Sequence, residues 1–153
     1  MKKAVLDANV LVLLVVGAAD PSLIERHKRT EIFAEEDFDT LTRFLKPYLK
    51  LQVTPHALAE ASNLLAQSKS PAREQLRQAL AHLLGTLVEV CIPSETAVRN
   101  EVYLRLGLTD ATLAEAVARG ATLLTTDLDL YRAVQAQGYL AVNFNHVRLG
   151  AWG

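Results

Sequence analysis

The sequence alternates short apolar runs with longer segments of helical period, and this alternation limits the possible folds more than any other feature. The apolar runs, which predict strands, are 4–6, 51–53, 87–92, 121–124 and 139–142. The segments with helical period are 41–49, 55–66, 71–84, 94–106, 110–119 and 128–137. Strands that alternate with helices build a parallel sheet covered by helices on both faces. Functional sites on such sheets form outside the carboxyl ends of the strands.

The amino-terminal stretch MKKAVLDANVLVLLVVGAAD fits either a secretory signal peptide or a buried strand over 3–6 that turns into a helix. Asp7 and Asn9 interrupt the apolar region that a signal peptide needs. An Asp at the centre of an inserted helix costs roughly 2.5 to 3.5 kcal/mol. The apolar stretch after Asn9 is also shorter than the roughly 20 residues of a membrane span. We therefore expect a strand that ends at Asp7, a cytoplasmic protein and no membrane attachment.

Composition indicates one ordinary domain over residues 1–153, with 50% hydrophobic and 22% charged residues. The net charge of -1 argues against a globally basic nucleic-acid coat but allows a local basic patch. Cys91 is the single cysteine, so an intramolecular disulfide is excluded. Its position in the apolar run 88–92 predicts a buried, unreactive thiol.

Four acids are predicted to meet at one edge of the sheet. Asp7 directly follows the first strand, and Asp127 follows the fourth. Asp110 opens a helical segment, and Glu60 lies about a turn and a half into the helix that Thr54 caps. Because the exits of neighbouring parallel strands lie side by side, all four carboxylates can reach the same edge without entering the core.

Each acid also has a purely structural interpretation. Asp110 and Asp127 are typical helix caps, and acids in a first turn suit the helix dipole. Thr126 with Asp129 fits a capping box. Glu60 belongs to a polar stripe that is typical of a solvated helix face. The joint position of the four acids, rather than any one of them, favours a functional site.

Carboxylates that cluster in a cleft either raise one another's pKa or take up a cation. Oxygen ligands favour a hard ion such as Mg²⁺ or Mn²⁺. Zinc is disfavoured, because the histidines at 27, 56, 82 and 146 show no paired ligand spacing and Cys91 stands alone. A divalent ion held by carboxylates suits metal-assisted hydrolysis of a phosphodiester.

At these residues the sequence resembles the PIN-domain ribonucleases. The family pattern begins with a strand that ends in Asp-x-Asn, here Asp7-Ala8-Asn9, and continues with a Glu on the next helix, here Glu60 in TPHALAEASNL. It ends with a helix-starting Asp in LTDA (108–111) and the block ARGATLLTTDLDL (118–130), which contains Asp127. This last block is the most specific, and the match covers the chain to about residue 145.

The resemblance implies a three-layer α/β/α fold with a five-stranded parallel sheet, and a metal-dependent endoribonuclease that acts on RNA. It implies that one or two Mg²⁺ or Mn²⁺ ions and the attacking water are held by Asp7, Glu60, Asp110 and Asp127.

Three further residues have supporting roles under the same resemblance. Asn9 and Thr126 would orient the carboxylates that bind metal. For Asp129 three roles stay open: a fifth acid of the site, a partner in the helix cap, or a solvent-exposed side chain.

Many members of this family are toxins of toxin/antitoxin pairs, often called VapC-like. The resemblance thus implies an antitoxin protein and a second copy of the chain as candidate partners. VapC-like toxins tend to be more compact between the first and second strands, whereas this chain has an additional polar segment over 20–39.

The clearest basic cluster lies in that additional segment. Its cations, Arg26, Lys28 and Arg29, are expected near the proposed site, where they could bind RNA phosphates. The alternative is a solvated loop, balanced by the neighbouring glutamates.

Two other classes of protein compete with the nuclease. Phosphotransfer enzymes of the haloacid dehalogenase type also place an Asp after the first strand, but their pattern has Asp where this chain has Asn9, and a Lys that is absent from 143–153. The missing Lys, and the lack of an acid pair at the first strand, also argue against a response-regulator receiver. The second class is a non-catalytic binding module that keeps the fold and has lost the activity.

Overall fold

A five-stranded, all-parallel sheet with helices on both faces forms the centre of the computed structural model, which describes residues 2–150. The strands are β1 (Lys3–Leu6), β2 (Lys50–Val53), β3 (Val88–Glu89), β4 (Thr122–Thr125) and β5 (Ala141–Asn143). Their order in the sheet is β3-β2-β1-β4-β5. The predicted three-layer α/β/α fold is confirmed, and the central position of β1 brings Asp7 out at the middle of the sheet edge.

The register between β1 and β4 assigns side chains to the two faces. Val5 pairs with Leu123, and Leu6 pairs with Leu124. Val5 and Leu123 lie in one buried cluster, whereas Leu6 and Leu124 lie in the other. Successive strand residues point to opposite faces, so a short, uniformly apolar strand is what a sheet covered on both sides requires.

Nine α-helices fill the two outer layers within residues 2–150. They are α1 (Ala8–Ala19), α2 (Glu35–Leu45), α3 (Pro55–Leu65), α4 (Ala72–Leu84), α5 (Ser94–Ala97), α6 (Val102–Leu106), α7 (Leu108–Ala118), α8 (Leu128–Ala136) and α9 (Phe144–Arg148). Helices α1, α2, α4 and α9 cover one face, and α5 to α8 cover the other. Helix α3 contacts both α1 and α7, so it joins the two layers.

Helix α1 is buried along almost its whole length, because it packs against α2, α3 and α4. A helix that is apolar all round is stable only inside a protein or a membrane. No helix within residues 2–150 combines the length and the apolar character needed to cross a membrane.

Two predicted helices differ most from the helices in the structure. The segment 41–49 is helical only to Leu45, because Pro47 cannot continue a helix, and α2 begins earlier, at Glu35. There the Asp37 carboxylate accepts a hydrogen bond of 2.8 Å from the Ala34 backbone N–H. The segment 94–106 divides into α5 and α6, because the Asn100 side chain accepts from the Val102 backbone N–H at 2.9 Å and competes with a continuous helix.

The prediction of a buried Cys91 is wrong. The predicted strand 87–92 is reduced to the two residues of β3, which forms an edge of the sheet and whose side chains are exposed. After β3 only the bond from the Val90 backbone N–H to the Val53 carbonyl continues the pairing. Cys91 lies beyond that bond and is exposed, whereas its neighbour Ile92 is buried.

We expect Gly17→Ala to destabilise the protein, although alanine is the better helix former. A Cβ at position 17 of α1 would lie 2.0 Å from a ring atom of Phe38 on α2. Overpacking of this kind costs about 1–3 kcal/mol, which exceeds the gain in helix propensity of about 1 kcal/mol. Urea unfolding measures the loss.

The matched control is the same substitution in a Phe38→Ala background. Without the ring, Gly17→Ala should stabilise the protein by up to about 1 kcal/mol, the difference in helix propensity. Equal effects of Gly17→Ala in both backgrounds would contradict the packing explanation.

Candidate active site

Asp7 occupies the turn between β1 and α1, where it is almost completely buried. Its Oδ1 accepts a hydrogen bond of 2.7 Å from the Ala8 backbone N–H, so it caps α1. Its own N–H donates to the Leu124 carbonyl at 3.0 Å, which continues the pairing of β1 with β4 by one residue. The carboxylate is thereby fixed at the point where the two central strands end.

Thr125 is the residue that the sequence reasoning missed. Its hydroxyl donates to Asp7 Oδ2 at 2.5 Å and accepts from the Asp127 backbone N–H at 2.9 Å. The resemblance to PIN-domain ribonucleases implies this orienting role for Thr126, but its half-buried side chain makes no hydrogen bond to any of the four acids within residues 2–150. The register provides the missing signal: Leu6 pairs with Leu124, so the next residue on each strand, Asp7 and Thr125, must be neighbours.

Asp127 caps α8, and its carboxylate lies on the same edge as Asp7. Its Oδ1 accepts from the backbone N–H groups of Asp129 at 2.9 Å and Leu130 at 3.2 Å. The cap residue is thus Asp127 itself, and the capping box predicted for Thr126 and Asp129 does not form. The side chain of Asp129 is exposed in the first turn of α8.

Asp110 lies in the first turn of α7 but does not cap it. The cap position is Gly107, whose φ of 94° favours glycine, and α7 begins two residues before Asp110. The carboxylate of Asp110 makes no hydrogen bond within residues 2–150. The helix-cap interpretation of Asp110 is therefore wrong, whereas its position in the first turn still suits the helix dipole.

Glu60 is exposed on α3, and a hydrogen bond connects α3 to α7, the helix that carries Asp110. The hydroxyls of Thr54 and Thr112 are buried and lie 3.0 Å apart, which joins the start of α3 to α7. The Thr54 hydroxyl also accepts from the Ala57 backbone N–H at 3.3 Å, so Thr54 caps α3 as predicted. This contact determines the relative position of the two helices.

Asp7 and Asp110 lie close enough to the other acids for the charges of those acids to raise their pKa values. The pKa of Asp110 rises from 3.8 to about 7, through burial first and then through the charges of Asp7, Asp127 and Glu60. The pKa of Asp7 rises from 3.8 to about 6. Burial is the main cause of this rise, and the charges of Glu60 and Asp127 add to it. The hydrogen bonds from Thr125 and Ala8 lower the pKa of Asp7 and so oppose the rise.

The four carboxylates are ligands of the chemical type that a hard divalent cation prefers. All four side chains are carboxylates, and the charges that raise the pKa of Asp110 are those a cation would neutralise. Within residues 2–150, however, no three His, Cys, Asp or Glu side chains converge closely enough to form a ready coordination group. Binding of a cation would therefore require these carboxylates to approach one another more closely.

Asn9 lies in the first turn of α1 with its side chain exposed. It makes no hydrogen bond to the four acids within residues 2–150, so its orienting role stays a prediction.

The basic cluster does not lie where it was expected. Arg26, Lys28 and Arg29 follow the end of α1, a helix about 18 Å long that begins at Asp7. The Arg29 Nε donates to the Gln67 side chain at 2.9 Å, beyond the carboxyl end of α3. The cluster is therefore at the opposite end of these helices from Asp7.

Comparison with known proteins supports the fold alone. No protein-family model and no curated protein matches this chain. The crystal structure of PAE2754 from Pyrobaculum aerophilum is similar, with 18% sequence identity, a TM-score of 0.59, and coverage of 98% of this chain and 96% of that one. A domain of a functionally unknown protein from Methanocaldococcus jannaschii has 20% identity, covers 94% and 91% of the two chains, and has a TM-score of 0.47, too low to support an argument.

We expect the metal-free protein to lose stability as the pH rises from about 4 to about 7. Asp7 and Asp110 have pKa values of about 6 and about 7 in the folded protein, against 3.8 as their usual value. Between these values the folded state holds protons that the unfolded state has released, so the free energy of unfolding falls as pH rises. Urea midpoints in EDTA from pH 4 to pH 8 measure this.

Asp110→Asn provides the comparison for that experiment. Burial lowers the pKa of His27, which makes stability change with pH in the opposite direction, so only the difference between the two proteins isolates the acids. The variant should lose less stability than the wild type over this range. An identical pH dependence in both proteins would contradict the assignment.

Thr125→Val should destabilise the protein by about 1–3 kcal/mol, because it removes the hydrogen bonds to Oδ2 of the buried Asp7 carboxylate and from the Asp127 backbone N–H, while the bond from Ala8 to Oδ1 stays. The pKa of Asp7 should rise further, because the lost hydrogen bond lowers it in the wild type. Urea unfolding and a carbon-13 NMR titration of the Asp7 carboxyl measure the two effects. Thr125→Ser keeps the hydroxyl and should preserve the pKa; a shift as large as that of the valine variant would exclude this role.

Proposed function

We propose that this protein is a metal-dependent ribonuclease of the PIN type that hydrolyses phosphodiester bonds of RNA. The observation that carries the proposal is the electrostatic coupling of four carboxylates that come from three helix starts and one helix face. Within residues 2–150 the Asp110 carboxylate makes no hydrogen bond, and its pKa is raised to about 7 by burial and by three other acids. A fold that keeps such a repulsive group is best explained by a cation that neutralises it.

The residues that would hold Mg²⁺ or Mn²⁺ are Asp7, Glu60, Asp110 and Asp127. An ion held there would supply the Lewis acidity that activates a water and offsets the negative charge on the phosphodiester. RNA is proposed as the substrate because the sequence resembles the PIN-domain ribonucleases.

The chain itself contributes orientation. Thr125 donates to Asp7 Oδ2, and its oxygen accepts from the backbone of Asp127, so one hydroxyl positions two of the acids. The contact between Thr54 and Thr112 positions the helices of the other two, Glu60 and Asp110. Pre-organisation of this kind reduces the rearrangement needed when substrate binds.

The candidate partners are RNA as substrate, an antitoxin protein, and a second copy of the chain, in a cytoplasmic setting. Trp152, whose role the sequence leaves unassigned, lies outside the described residues 2–150.

We expect Mn²⁺-dependent cleavage of single-stranded RNA that falls by at least about 100-fold in Asp7→Asn, because a charged metal ligand is lost. Gel analysis of a labelled oligonucleotide measures cleavage. The control, Asp39→Asn, makes the same change in an exposed residue of α2 and should leave cleavage unchanged. Mn²⁺ should also raise the melting temperature of the wild type more than that of Asp7→Asn.

Other outcomes identify the competing classes. Cleavage that survives Asp7→Asn would overturn the proposal. Turnover of a small phosphomonoester without RNA cleavage would favour a phosphotransfer enzyme. RNA binding without cleavage under any metal would favour the non-catalytic module.

A further inference from the structure

A concave surface lies at the end of α1 and α3 that is remote from Asp7. This basic cleft encloses about 350 Å³ between the segment after α1 and the connection from α3 to α4. Its cations are Arg26, Lys28 and Lys69, and none of its lining residues is acidic. In a chain with a net charge of -1, this is a local concentration of positive charge.

The cations of the cleft are available to a ligand. Within residues 2–150, ion pairs form at Arg73–Glu74, Arg99–Glu95 and Arg148–Asp37, and none includes a cation of the cleft. Lys28 and Lys69 are exposed and make no side-chain hydrogen bond in that part of the chain.

Arg26 is the most constrained of the three cations. It donates to the Ser22 hydroxyl and carbonyl at 3.2 and 3.3 Å, and its charge acts on Asp20. These contacts orient the guanidinium but leave other N–H groups for an anion.

The walls of the cleft are held in place. His27 is 5% exposed, and its Nδ1 accepts from the Arg29 backbone N–H at 3.0 Å, which fixes the turn that presents Lys28. Arg29 in turn donates to the Gln67 side chain at 2.9 Å and ties this turn to the end of α3. A cleft of fixed shape binds an anion at a lower entropic cost than a mobile loop does.

The floor is apolar, which indicates more than a single inorganic anion. Leu23, Ala72 and Leu76 line it, and Leu76 is fully buried. A positive rim beside apolar side chains suits a nucleotide, whose phosphate contacts the cations while its less polar parts contact Leu23 and Ala72.

We propose that the basic cleft binds the phosphate backbone of the RNA strand, several nucleotides away from the bond that is cleaved. This inference rests on the proposed function. Helix α3, about 16 Å long, carries Glu60 on its exposed face and ends at the cleft, so it spans the two sites. The additional segment 20–39 supplies Arg26 and Lys28 and therefore serves to hold substrate.

The binding test uses Asp7→Asn protein in EDTA, so that RNA stays intact, and fluorescence anisotropy with an unstructured RNA of about 20 nucleotides. In this background, the cleft variant combines Arg26→Ser, Lys28→Ser and Lys69→Ser. Its control removes the same charge from the opposite layer through Arg99→Ser, Arg105→Ser and Arg119→Ser. All six side chains are exposed, and circular dichroism confirms that each variant is folded.

We expect the cleft variant to bind RNA about 10-fold or more weakly at about 0.1 M salt, and the slope of log K against log salt to decrease by about 2, since each phosphate contact on a single strand contributes about 0.7. The control should bind like its parent. The single change Lys28→Gln should give a smaller loss in the same direction.

Several results would overturn the proposal. The first is that the cleft and control variants bind RNA with the same affinity and the same salt slope. The second is that inorganic phosphate displaces the labelled RNA as strongly as unlabelled RNA does. The third is that the cleft binds an acidic peptide and not RNA.

Cleavage assays with Asp7 restored separate this proposal from the proposed function. If both hold, the cleft variant should show a KM about 10-fold higher on the long RNA with kcat unchanged, and normal cleavage of a tetranucleotide. If the cleft variant cleaves the long RNA with the same KM as the control variant, the proposal for the cleft fails and the nuclease proposal stands. If the wild type cleaves neither RNA, the nuclease proposal fails, and the binding assay still reports on the cleft.

Discussion

The hydrogen bond from the Thr125 hydroxyl to the Asp7 carboxylate joins residues 118 positions apart, and the rest of the candidate site depends on it. It can form because β1 and β4 are neighbouring parallel strands whose register aligns Leu6 with Leu124. The same hydroxyl accepts from the backbone of Asp127 and so links the starts of α1 and α8. The centre of the sheet edge is thus organised by one small polar side chain, buried where two strands end.

Around that bond the fold tolerates an unfavourable arrangement of charge. Asp7 is a carboxylate in a buried position, with two hydrogen bonds that offset part of its desolvation. Asp110 has no such compensation, and three like charges act on it as well as burial. Structural acids on this chain look different: Asp37, for example, accepts from the Ala34 backbone N–H and pairs with Arg148 at 3.6 Å. The contrast supports a role for Asp7 and Asp110 that stability does not explain.

The two proposed sites use opposite ends of the same helices. At the strand exits, α1 and α3 begin beside the acids; at their far ends they lead to the basic cleft. Negative charge that a cation must neutralise is therefore separated from the positive charge that would hold RNA phosphates. If the two charge clusters were adjacent, they would pair with each other, and neither would be available to a ligand.

The sequence by itself determined the sheet, its covered faces and the acids at its edge, because these follow from local periodicity and from strand-to-helix turns. It did not determine the exposure of Cys91, the break in 94–106 or the start of α7 at Leu108, since these depend on an edge strand, an Asn side chain and a glycine turn. From the sequence, the basic cluster was expected beside the acids, and the resemblance assigned the orienting role to Thr126 and not to Thr125. Only the tertiary structure decided both, because strand register and the direction of α1 arise from contacts between residues that are distant in sequence.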